Sequence, residues 1–176
     1  MQVYFIRHGQ TNYNLLGLCN DDPRKDVHLT ELGLEQAQQL AEQLRDIPLQ
    51  RILVSELPRT RQTAEIINRH HGLNIETQLQ INDIRSGFDS RPVSEYQRAI
   101  SADPLHIRCN DGESLLDHKQ RIIRFIGWLA QQPQQNLLVV AHEETLRVFK
   151  GYFEKLDDET MIGLRFDNCA CLSYSL

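Results

Sequence analysis

"NLLVVAH" (residues 136–142) carries five consecutive apolar residues between an asparagine and a histidine. The run is short, has no polar face and is flanked by polar residues. That is the pattern of a strand buried on both sides, as in parallel sheets covered by helices. A second apolar run, "QVYFI" (2–6), reads as a strand ending at Arg7, and "RILVS" (51–55) as a third. "LNIETQ" (73–78) predicts an edge-like strand, and "CACLSYSL" (169–176) a closing one.

Helical patterns lie between these runs. Thr30 reads as an N-cap with Glu31 in the first turn, followed by Ala37, Leu40, Ala41 and Leu44 on one face and a stop near Pro48. Further helices are expected from Leu57 to about Asn68, around 94–100, over 113–130 and over 145–153. In the 113–130 helix Leu115, Ile122, Ile126 and Leu129 should face inward. "NLLGLCNDDPRKDVH" (14–28) has turn-forming residues throughout and reads as an irregular surface loop. Strands alternating with helices imply an α/β fold, a three-layer sandwich with a mostly parallel central sheet, and we expect one domain over residues 1–176.

Two histidines stand just beyond two of these strands: His8 after the first, within "RHG", and His142 after "LLVVA". Ligands of open α/β sheets gather beyond the carboxyl ends of the strands, so adjacent parallel strands would bring both imidazoles to one crevice. Arg7 adjoins the first histidine, and Arg59 follows the strand that ends at Ser55. Two guanidiniums with two imidazoles suit a compact, multiply charged anion, and phosphoryl matches the arginine fork. Neither histidine has a second histidine or cysteine two to five residues on, so no metal and no other cofactor is expected.

Composition narrows the partners. The 176 residues are 40% hydrophobic and 24% charged, with a formal net charge of −5. An acidic body without a basic stretch argues against nucleic acid and anionic membranes as partners, and for a small phosphorylated metabolite. The four cysteines, Cys19, Cys109, Cys169 and Cys171, form no paired framework and read as buried structural thiols of a reduced, cytoplasmic protein. No segment approaches the ~20 apolar residues of a membrane span, and the N-terminus lacks a signal-peptide run. Nothing in the sequence bears on oligomeric state.

"RHGQTNYN" (7–14) resembles the R-H-G-x-T-x-x-N signature of the histidine phosphatase superfamily, the phosphoglycerate mutase-like proteins. "DVHLTELGLEQA" (26–37), "SELPRTRQTAE" (55–65), "DGES" (111–114) and "LVVAH" (138–142) resemble further blocks of that family, in its order. The resemblance implies the phosphoglycerate mutase-like fold and a phosphohistidine formed on His8. It also implies phosphate contacts from Arg7, Asn14, Arg59 and His142. Thr11 and Ser55 would be supporting hydrogen bonders, and Gly9 would let backbone approach the anion closely. The family's general acid, a glutamate, falls nearest Asp83, four residues before Gly87, with Asp89 in reserve. Glu113 would cap the long helix or orient the site.

Two departures from the family stand out. Glu143 and Glu144 follow His142 where glycines are common, and we expect their carboxylates to turn away from the phosphate. "GLCND" (17–21) lacks the arginine usual after the first block, for which Arg24, Lys25 or Arg85 could substitute. The expected activity is hydrolysis of a phosphomonoester without metal, as in short members acting on sugar phosphates, α-ribazole phosphate, fructose 2,6-bisphosphate, nucleotides or phosphoproteins. The competing readings are a phosphoglycerate-type mutase and a non-catalytic phosphate-binding or interaction module.

Overall fold

The computed structural model describes residues 1–133 and 136–176. Five strands, β1 (Gln2–Arg7), β2 (Arg51–Val54), β3 (Ile75–Thr77), β4 (Leu137–Ala141) and β5 (Cys171–Ser175), form one sheet in the order β3-β2-β4-β1-β5. The β1–β4, β2–β4 and β2–β3 pairs are parallel, and β5 closes the edge antiparallel to β1. The apolar runs in β1 and β4 are therefore central strands.

Alternation along these strands divides the core. Val3, Phe5, Leu53, Leu137 and Val139 point to one face, where they meet α5 (Leu115–Leu129), α6 (Glu143–Phe153) and α7 (Asp158–Gly163). Ile6, Ile52, Val54, Leu138 and Val140 point to the other, against α2 (Glu31–Leu44) and α3 (Pro58–Asn68). The result is the expected three-layer sandwich. Thr30 caps α2 by accepting Gly33 N–H at 3.0 Å, and Ser114 caps α5 with a reciprocal bond to Asp117.

Four local expectations need correction. The loop expected over 14–28 begins inside a short helix, α1 (Asn12–Leu16), which Thr11 and Asn14 cap reciprocally. Helix α7, six residues long, is too short to show a period, and no helix is expected there from the sequence. Leu115 is only partly buried, packing on a satellite cluster of Phe88, Ile100 and Tyr96 from α4 (Val93–Ala99). The cysteines are all free, but none is fully buried: Cys19, Cys109 and Cys169 are half-buried and Cys171 is exposed. No helix among the described residues is long and apolar enough to cross a membrane.

Candidate active site

The register of β1 and β4 pairs Arg7 with Ala141, so the next residue of each strand is a histidine at the same level. His8 N–H donates to the Ala141 carbonyl at 3.1 Å, and the two imidazole centroids lie 5.4 Å apart. Strand β2 ends one step lower, with Val54 opposite Val140, and delivers Ser55 beside His142. Both rings are buried. His8 borders a cavity of about 210 Å³ whose wall also includes Arg7, Asn14, Arg59 and Asp83, with His142 packed behind it against His8.

Arg59, near the start of α3, organises this site. Its Nε–H donates to His8 Nε2 at 3.0 Å, and NH2 donates to Asp83 Oδ2 at 2.8 Å. Two further donors go to Asn20, at 2.6 Å to the side-chain oxygen and 3.1 Å to the carbonyl. His8 Nδ1–H donates to the Gly9 carbonyl at 2.7 Å, so Nε2 carries the lone pair. Burial holds the His8 imidazole well below its usual pKa, and the charges of Arg59 and Arg7 push the same way. A neutral, oriented imidazole with its lone pair held by a cation suits attack on phosphorus.

His142 pairs through Nε2 with Ser55 Oγ at 2.9 Å, and Ser55 meets Thr60 at 2.9 Å. Nδ1 of His142 is buried without a hydrogen-bond partner and lies 3.5 Å from Asp83 Oδ2. Burial, with Arg59 close by, keeps this ring neutral too.

Asp83 follows a single 3-10 turn (Leu79–Ile81) and is held by its backbone. Arg121 of α5 donates to the carbonyls of Gln80, Asn82 and Asp83, and its other donors grip both Glu113 oxygens at 2.9 and 2.8 Å. Glu113 thus anchors the Asp83 loop and does not wall the cavity; Ser114 is the cap. Burial raises the Asp83 carboxyl to about 7, helped by the Glu144 charge and opposed by Arg59. Asp89, the reserve acid, accepts from Asn20 Nδ2 and the Asp21 and Asp22 amides, and is a loop anchor away from the cavity.

Thr11 caps α1 and borders the cavity, while Asn14 uses Oδ1 to accept Thr11 N–H at 3.0 Å, leaving Nδ2 for a ligand. Gly9 differs from expectation. A Cβ there would sit 2.6 Å from the Gly33 carbonyl, so its small size serves the packing of the segment after β1 on α2.

The two glutamates also differ: both border the cavity, with Glu143 bridging Arg7 at 3.0 Å and Arg147 at 2.8 Å. Arg24 pairs with Asp22 at the surface, and neither it, Lys25 nor Arg85 reaches the wall. Arg147 and Arg165 reach it instead, together with Asn20. Arg147 had a readable signal, one turn after Glu143 on α6; Asn20 and Arg165 lie in loops whose course no periodicity predicts. Among the described residues no cluster of three or more His, Cys, Asp or Glu side chains is placed to hold a metal ion.

A family model described as the histidine phosphatase superfamily (branch 1) matches residues 3–175. The adenosylcobalamin/alpha-ribazole phosphatase of Escherichia coli K12 is 30% identical over 177 residues, 95% of this chain and 86% of that protein. A protein named "Probable phosphoglycerate mutase GpmB" from Erwinia tasmaniensis is 28% identical over 179 residues, 97% of this chain and 82% of its own length. The crystal structure of the alpha-ribazole phosphatase from Shigella flexneri superposes with a TM-score of 0.88 at 28% identity, covering 98% of this chain and 89% of that one.

Proposed function

Because this chain belongs to the histidine phosphatase superfamily, branch 1, we propose that it hydrolyses a small phosphomonoester through a phosphohistidine on His8. The observation that carries the reading is the triangle of His8, Arg59 and Asp83. A neutral Nε2 stands 3.0 Å from a buried guanidinium that also holds, at 2.8 Å, a carboxyl titrating near 7.

In the first step the His8 Nε2 lone pair forms a bond to phosphorus as the ester P–O bond breaks. Asp83 gives its proton to the leaving alkoxide, which would otherwise depart as a strong base. Arg7, Arg59, Asn14 Nδ2 and His142 Nδ1 hold the non-bridging oxygens, with Ser55 donating to Nε2 of His142 so that Nδ1 carries the proton. In the second step water attacks phosphorus, its proton passes to Asp83, and the N–P bond breaks. Orthophosphate leaves and both groups regain their starting states. Every proton is accounted for by Asp83, so the scheme asks nothing of a metal.

The cavity volume of about 210 Å³ favours a metabolite-sized ester. A mutase is the second reading, favoured by the likeness to the mutase-named relative. Incubation with 2- or 3-phosphoglycerate separates the two: phosphate release supports the hydrolase, whereas isomer exchange without release supports the mutase. Hydrolysis of p-nitrophenyl phosphate by wild type and by His8→Ala tests the nucleophile. Turnover by wild type with loss in the variant is expected, and equal rates would remove His8 from the reaction.

A further inference from the structure

A carboxylate is an unexpected neighbour for a phosphate. Glu143 nonetheless places Oε2 3.0 Å from Arg7 NH1 and accepts from Arg147 NH2 at 2.8 Å through Oε1. The Arg7 NH1 group also donates to the Phe166 carbonyl, so one edge of the guanidinium is held by protein. The other edge is not: Nε of Arg7 is buried without a partner, a state that favours an incoming oxygen. Arg7 thus enters the reaction with its charge already opposed and its orientation fixed.

Consider the end of the cycle. Orthophosphate would face Arg7, Arg59 and His142 with no leaving group to compensate, and bidentate arginine–phosphate pairs are among the stronger polar contacts. Product release sets the rate of many enzymes. The Glu143 side chain is only 17% exposed, so solvent screens its charge weakly. We propose that Glu143 is a resident counter-charge on Arg7 that weakens the hold on orthophosphate and speeds its release. It is a positioning residue, touching Arg7 and not the reacting atoms. The proposal rests on the phosphatase reading above.

The probe is inorganic phosphate, its dissociation constant measured by calorimetry on the intact protein and by competition with p-nitrophenyl phosphate. Glu143→Gln keeps the shape and removes the charge, and phosphate should bind about tenfold tighter or more, with KM and kcat both falling. Glu143→Ala should move in the same direction, which covers any misfit of glutamine at the start of α6. Glu144→Gln removes an equal charge from a residue that meets Arg147 at 3.7 Å and makes no ion pair with Arg7, and should shift phosphate binding less. Unchanged or weaker phosphate binding in both Glu143 variants would overturn the counter-charge while leaving the phosphatase reading intact. An equal gain in Glu144→Gln would do the same, since it would trace to the general field of the cleft. If phosphate binds neither wild type nor variants and no ester is turned over, the phosphatase reading fails and takes this proposal with it.

Discussion

Arg59 donates its Nε–H to His8 Nε2 across 3.0 Å, so the atom read as nucleophile rests in a hydrogen bond to a residue that would bind the phosphoryl oxygens. Attack requires that bond to be exchanged for one to phosphate, which keeps Nε2 aimed and unprotonated until substrate arrives. Arg59→Ala should lose about a hundred- to a thousandfold in kcat/KM. Arg61, two positions on, is exposed and donates to Thr77 Oγ1 at 3.1 Å, so Arg61→Ala should stay near wild type. Equal losses in a steady-state assay would show that the phosphate arginine has been misplaced.

A carboxyl titrating near 7 predicts a pH profile. Activity should fall as pH rises through about 7, because ionised Asp83 has no proton for the leaving oxygen. Asp83→Asn should cut turnover of alkyl phosphates by about a hundredfold or more and turnover of p-nitrophenyl phosphate far less, since p-nitrophenolate leaves without protonation. An equal loss on both esters would assign Asp83 to binding Arg59 and not to proton transfer.

How much of this was legible in the sequence follows from burial and locality. Strands β1 and β4 are covered on both faces, so each is an apolar run, and the histidines after them can be paired from the sequence alone. The cap of α2 is equally local: one threonine and the amide three residues later. Glu143 shows the opposite case. Its direction is set by Arg7, at the end of β1, and by Arg147, one turn on along α6, and adjacency to His142 says nothing about where those guanidiniums lie. Asn20 and Arg165 carry no sequence signal because loop residues reach the cavity by tertiary contacts. The family motif suggests that Gly9 makes room for a ligand, whereas its close neighbour is the Gly33 backbone.

That close approach is testable. A Cβ on Gly33 would lie 2.1 Å from the Gln10 carbonyl, a backbone atom that cannot swing aside. Gly33→Ala should destabilise by about 1–3 kcal/mol and reduce activity, because the displaced segment adjoins His8. Gly127, exposed on α5 with open space around it, is the contrast: Gly127→Ala should stabilise by about 0.5–1 kcal/mol. Urea denaturation of both variants checks the pair, and a neutral Gly33→Ala would contradict the packing argument.

Stability should also depend on pH, through groups acting in opposite directions. His8, His118 and His142 are buried, and burial holds each imidazole below its usual value, His118 at about 3. The unfolded chain takes up protons at these histidines below about pH 6.5 while the folded chain does not, so stability falls with acidification there. Each of the three therefore adds to the loss between about pH 7.5 and about pH 5.5. Asp83 has the opposite sign: its folded pKa near 7 lies above the unfolded value, so protonation over the same window returns about 2 kcal/mol. Three imidazoles oppose one carboxyl, so the net effect is a fall in Tm on acidification. In Asp83→Asn the compensating gain disappears, so its Tm should drop further over the same interval than that of wild type. A Tm that is flat or rises on acidification in Asp83→Asn, where the compensating carboxyl is gone, would overturn the reading of the buried imidazoles as neutral, and with it the free lone pair on His8.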